Sequence, residues 1–143
     1  MGGSVYSTTL AGNYVVRSPP PFKLIMYIVD FETEAIVFGS GRAPKPVGVS
    51  IQKLGGEPRY YAFGHPTKNT CTEEVAKQAL AEVWTEELCF HHGKFDISVA
   101  IEHWGFSWPK RWHDTMYLIY LDYPLAQTVS LKPSAERYLG MPP

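Results

Sequence analysis

The spacing of apolar positions changes along the chain, and the changes divide it into elements. From Phe22 to Glu32 (FKLIMYIVDFE) the run is nearly all apolar until its final acids. That pattern predicts a central strand buried on both faces. Gly39 to Pro46 (GSGRAPKP) reads as a loop, and Val47 to Gln52 (VGVSIQ) as a second strand. A Gly-containing turn, Leu54 to Glu57, joins it to a third strand, Pro58 to Phe63 (PRYYAF), as an antiparallel hairpin. The period then lengthens. Val75, Ala76, Ala79, Leu80, Val83 and Trp84 share one helical face, which predicts a helix over 72–87 with Thr70 and Glu73 at capping-box spacing. Leu88 to Phe90 reads as a short buried strand, and Asp96 to Trp104 as a helix stopped by Gly105. Residues 106–112 form an aromatic connector with room for a short fifth strand. Two more helices are expected, at Thr115–Leu121 and Ser130–Leu139, the second ended by Gly140. The first of them carries Tyr117, Leu118, Tyr120 and Leu121, expected in the core. Residues 1–21, rich in Gly, Ser, Thr and Pro, show no sustained period and are expected to be a poorly structured lead-in to a domain over 22–143. Three strands, a helix, a strand, a helix, a further strand and helices imply a mixed α/β sheet flanked by helices.

Composition narrows the class. A chain of 143 residues with 45% hydrophobic and 19% charged side chains fits one globular domain. No uncharged apolar run reaches ~20 residues, so no membrane span is expected. Cys71 and Cys89 match neither a disulfide framework nor a zinc pattern, so a reducing, cytoplasmic setting is expected. Net charge is −1, from 13 basic and 14 acidic residues, which excludes a broad basic surface for duplex binding. Any nucleic-acid contact is therefore expected to be local.

The candidate chemistry is acidic. Asp30 and Glu32 alternate along a strand and so point to one face, roughly 7 Å apart. Two carboxylates at the end of a greasy strand either mark its solvated end or gather a divalent cation. Mg²⁺ suits the second case, because it takes one or two carboxylates and keeps water and phosphate oxygens as its other ligands. Asp96 lies between a short strand and a helix, where an Asp commonly serves as a helix cap. A neighbouring parallel strand would bring it close to Asp30.

These residues also fall into a recognisable order. Asp30-Phe31-Glu32-Thr33, then His91-His92-Gly93-Lys94-Phe95-Asp96, then Trp112-His113-Asp114-Thr115-Met116, and finally Leu131 to Gly140 (LKPSAERYLG) follow one another along the chain. Over residues 24–141 the sequence resembles the DEDD superfamily of 3′–5′ exonucleases. It is most similar to the proofreading domain of phage and bacterial family-A DNA polymerases. The resemblance implies a ribonuclease-H-like fold, with three antiparallel strands followed by parallel ones. It implies that Asp30, Glu32 and Asp96 are catalytic and bind two divalent metal ions, Mg²⁺ or Mn²⁺. It places Thr33, His92 and Phe95 against the substrate, the 3′ end of single-stranded DNA. His92 stands where the family often has Asn. For a phage-encoded chain the setting would be the host cytoplasm.

The family's third motif, a Tyr or His before a fourth Asp, does not occur by Pro143. The expectation is therefore a C-terminally incomplete domain with reduced or lost turnover, partnered by a DNA polymerase domain or a missing C-terminal segment. Asp114 and Asp122 are the first substitutes to consider for the absent carboxylate. A non-catalytic single-strand-binding or polymerase-docking module, and an exoribonuclease, are the other readings. Trp104, Trp108 and Trp112 around Lys110 and Arg111 fit a packed connector better than a stacking platform.

Overall fold

The computed structural model describes residues 8–11, 14–17 and 25–141. Thr8–Ala11 (β1) and Tyr14–Arg17 (β2) pair antiparallel. The stretch expected to be a poorly structured lead-in thus contains two paired strands, each of four residues and too short to show a period. The remainder of 1–21, and residues 22–24 of the first expected strand, lie outside the described residues.

The main sheet is built from Met26–Thr33 (β3), Pro46–Lys53 (β4), Arg59–Ala62 (β5), Glu87–Phe90 (β6) and Trp112–Asp114 (β7). Its order is β5-β4-β3-β6-β7. β3, β4 and β5 are antiparallel, whereas β6 runs parallel to β3 and β7 parallel to β6. This is the mixed open α/β sheet expected, three antiparallel strands followed by parallel ones.

Four helices complete the fold: Glu73–Val83 (α1), Gly93–Trp104 (α2), Thr115–Asp122 (α3) and Leu131–Leu139 (α4). Val29, Phe31, Val49 and Ile51 on one sheet face form a core with Ala76 and Leu80 of α1 and Ile97, Ala100 and Trp104 of α2. Trp104 stands edge-on to Phe31 with ring centroids 5.1 Å apart. Its indole N–H donates to Glu73 Oε1 at 2.9 Å, which satisfies its one polar atom. Trp112 packs edge-on to Phe90, so the connector reading holds for both residues.

Several local expectations are corrected. The cap of α1 is Thr72, which accepts from Val75 N–H, while Thr70 Oγ1 accepts from Ala62 N–H on β5. The helix ends at Val83 because Glu87 already belongs to β6. α2 begins at Gly93, three residues early, so Asp96 lies inside its first turn and His92 holds the cap position. α3 has no buried residue, and Leu121 is 72% exposed. The core placement of Tyr117, Leu118, Tyr120 and Leu121 is therefore overturned. Helical spacing shows which residues share a face, but not that another element covers it.

Candidate functional site

The acidic residues gather where the parallel strands end. β3 alternates buried and exposed side chains, Val29 and Phe31 inward and Asp30 and Glu32 outward, as its pleat requires. The ladder between β3 and β6 stops at Ile28 and Cys89. Beyond that point the Phe31 N–H donates to Asp96 Oδ1 at 2.9 Å, so α2 continues where β6 leaves off. A register shift between Glu32 and Thr33 bends β3 just past the acids. Asp30, Glu32 and Asp96 are thus brought to one edge, with Thr33 beside them. In open α/β sheets, ligands bind outside the carboxyl ends of the strands.

This edge is electrostatically costly. Asp96 is 2% exposed. Burial pushes its pKa up to about 7; the Phe31 hydrogen bond opposes the rise, and the charge of Asp30 adds to it. Asp30 is raised as well, by burial first and by Glu32 next, while His91 pulls it back. Crowded carboxylates of this kind call for a counter-charge. Among the described residues, no group of three or more His, Cys, Asp or Glu forms a ready-made metal cage. The donors present are nevertheless oxygen atoms on crowded acids. They suit a hard cation held by one or two carboxylates, with water or phosphate oxygens completing its shell. Asp30, Glu32 and Asp96 are the residues that could hold it.

The strand-to-helix turn after β6 is held by two networks. Asp114, at the end of β7, accepts from three backbone groups: His92 N–H at 3.0 Å, Gly93 N–H at 2.8 Å and Met116 N–H at 2.9 Å. It caps α3 and also fixes the start of α2. Its oxygens are committed to the backbone, so it is not a spare metal ligand. Asp122 accepts from Tyr138 Oη at 2.6 Å, at the far end of α3. Thr115 Oγ1 donates to the Phe90 carbonyl and lies 2.8 Å from His91 Nδ1.

His92 adopts a left-handed backbone, φ +68°, and its ring stacks on Phe95 with an interplanar angle of 8°. Both line a groove of about 520 Å³ between α2 and the 36–44 loop. That loop is clamped to α2, since Ala43 N–H donates to Glu102 and the Ala43 carbonyl lies 2.9 Å from His103 Nε2. Ile36, Val37 and Phe38 project from it, and Phe38 is 92% exposed.

The fold now has a counterpart. A solved structure described as the POL domain of Pol1 from M. smegmatis, in complex with DNA primer-template and dNTP, matches with a TM-score of 0.56 and 18% identity. The likeness is one of fold. The match covers 83% of this chain and 19% of that one, so this chain spans about a fifth of its neighbour. No protein-family model and no curated protein matches the sequence. No helix among the described residues is long and apolar enough to cross a membrane.

Sequence reasoning missed two features near this edge. One is the Ile36–Phe38 tip, whose signal is an apolar triplet directly before the glycine-rich loop. The other is Tyr60 on β5. Its hydroxyl lies 2.6 Å from His65 Nε2, and its pKa is raised by burial, then by Glu32 and Asp30. Spacing gives no hint of it, because the pairing of strands brings it to the acids.

Proposed function

We propose that this chain is a 3′–5′ exonuclease domain of the proofreading type, acting on the 3′ end of single-stranded DNA. One observation carries the reading: Asp96 is buried at the carboxyl end of the parallel strands, with its charge opposed by Asp30. A buried carboxylate beside another is a liability for folding unless a cation uses it. The fold likeness to a domain seen with DNA primer-template supports the same assignment.

In this reading Asp30, Glu32 and Asp96 hold one or two divalent ions, Mg²⁺ or Mn²⁺. Such ions, when bound, lower the pKa of water and stabilise the leaving 3′-oxygen. The chain's own residues do the rest. The stacked faces of His92 and Phe95 offer a platform for the terminal base, which suits sequence-tolerant binding of a single strand. Thr33 stands at the substrate end of β3. Asp114 keeps the His92–Gly93 turn in place, so that the platform and Asp96 stay in register. Net hydrolysis adds water across the terminal phosphodiester and releases a nucleoside monophosphate, leaving a new 3′-hydroxyl.

The commitment of Asp114 to backbone donors favours a second reading, a non-catalytic single-strand-binding or polymerase-docking module on the same fold. A digestion assay on 5′-labelled single-stranded DNA with Mg²⁺ or Mn²⁺ separates the two. Stepwise 3′ shortening by the wild type, reduced at least about a hundredfold in Asp30→Asn, is the expected result. Binding without shortening under either metal would overturn the nuclease and leave the binding module.

A further inference from the structure

Tyr60 occupies a position that β3 and β4 prepare for it. Asp30 pairs with Ser50, and Ser50 with Tyr60, so the three side chains stand in one row on one face of the sheet. Glu32 pairs with Gly48 in the next row. A Cβ at residue 48 would overlap Tyr60 Oη, so the phenol leans across the backbone of Gly48 toward Glu32. Only a glycine leaves that path open. The hydroxyl therefore reaches about one strand spacing, ~4.8 Å, from β3 beside the acids.

The partner of this phenol is held with equal care. His65 N–H donates to Asn69 Oδ1 at 3.0 Å, and Asn69 Nδ2 donates to the His65 carbonyl at 2.9 Å. Gly64 lies so close to Val47 that a Cβ there would meet Val47 Cα at 2.9 Å. Both Phe63 N–H and Gly64 N–H donate to the Val47 carbonyl. Tyr60 is nevertheless 43% exposed. A surface phenol contributes little stability through one hydrogen bond to a half-buried imidazole. A rigid scaffold around an accessible donor is the arrangement that ligand positioning needs.

We propose that Tyr60 contacts the substrate phosphate, its hydroxyl donating to a non-bridging oxygen of the phosphodiester seated at Asp30, Glu32 and Asp96. His65 is a positioning residue. With its proton on Nε2 it donates to the phenol oxygen and leaves the phenol hydrogen free for the phosphate. The assignment rests on the exonuclease or strand-binding reading above and deepens it by adding a neutral donor to a site otherwise lined with acids. A donor matters there, because phosphate approaching three carboxylates meets like charge.

The test measures binding of a labelled single-stranded oligonucleotide in the presence of Ca²⁺, an oxygen-seeking cation used in place of Mg²⁺ so that binding is read apart from digestion. A second oligonucleotide carries a methylphosphonate at the 3′-terminal linkage, which removes the charged non-bridging oxygen. Tyr60→Phe keeps the ring over Gly48 and deletes only the hydroxyl. It is expected to weaken binding of the phosphodiester about tenfold, the range of a hydrogen bond to a charged group. It should leave both the methylphosphonate affinity and the melting temperature unchanged. His65→Ala should reproduce part of the loss and His65→Gln should restore it, since the Gln amide can donate to the phenol. Equal affinity of wild type and Tyr60→Phe for the phosphodiester, or equal losses on both oligonucleotides, would overturn the role of Tyr60. A wild-type chain that binds neither oligonucleotide would overturn the underlying reading and this assignment with it.

Discussion

Around the carboxyl ends of β3, β6 and β7, polar side chains are buried and bonded. Asp96 takes the Phe31 N–H, and Asp114 takes three backbone N–H groups. On α3 and α4 the reverse holds. Leu118, Leu121, Leu131, Tyr138 and Leu139 are exposed, while the polar Ser134 is buried. A groove of about 360 Å³ runs between these two helices, lined by Leu118, Ile119, Leu131 and Ala135. The first region spends hydrogen bonds to hold charges in fixed places. The second leaves apolar surface in water, where it adds little to folding. Among the described residues the buried core therefore lies beneath the acidic edge, not at the α3–α4 end.

The sharpest way to break that contrast is Asp114→Ala. It strips the acceptor from His92, Gly93 and Met116 together, two of those bonds anchoring the α2 turn and one starting α3. Leaving buried backbone donors unpaired is expected to cost about 4 kcal/mol. Urea unfolding measures it. A loss below about 1 kcal/mol would show that the turn holds itself without Asp114.

Asp96→Asn comes next, and its sign depends on pH. In the folded chain burial raises the Asp96 pKa to about 7, from 3.8 when exposed. The folded state therefore holds the proton more tightly than the unfolded one. The stability from that proton is fully present below about pH 4 and is lost as pH rises through 7. Asn keeps an oxygen for the Phe31 N–H and has no proton to lose. Without metal, Asp96→Asn is expected to be more stable than wild type at pH 8, by on the order of 3 kcal/mol, and to match it near pH 4. Thermal melts across that range check the sign. A wild type whose stability does not fall between pH 4 and 8 would remove the electrostatic cost from this edge.

Much of the fold was legible because its signals are local. The apolar run ending in Asp30 and Glu32 marked β3, and alternation placed both acids on one face. Gly105 and Gly140 marked helix ends, and both occupy the left-handed conformation, φ +71° and +63°. What stayed hidden depends on tertiary placement. The reach of Asp96 to Phe31 needs the parallel β6 to stop short, and no spacing states where a ladder ends. Tyr60 comes to the acids through two cross-strand registers and a glycine gap. His65 in turn is placed by its contact with that phenol. α3 misled in the opposite sense: its residues have core chemistry, yet no described element covers them.

The smallest expected effect tests the α3–α4 end. Ser134 is 3% exposed, and its Oγ has no hydrogen-bond partner among the described residues. It closes the first turn of α4, where its backbone N–H already bonds the Ser130 carbonyl. Ser134→Ala removes an unpaired buried hydroxyl and improves helix propensity, so it is expected to stabilise the chain by about 1 kcal/mol. A gain of that size in urea unfolding would mark this helix pair as packed to less demanding standards than the edge, where Asp114→Ala removes three made bonds and Asp96→Asn a buried charge. A loss instead would mean that the hydroxyl is satisfied in solution, and that α4 is held by a polar contact comparable to those at Asp96 and Asp114.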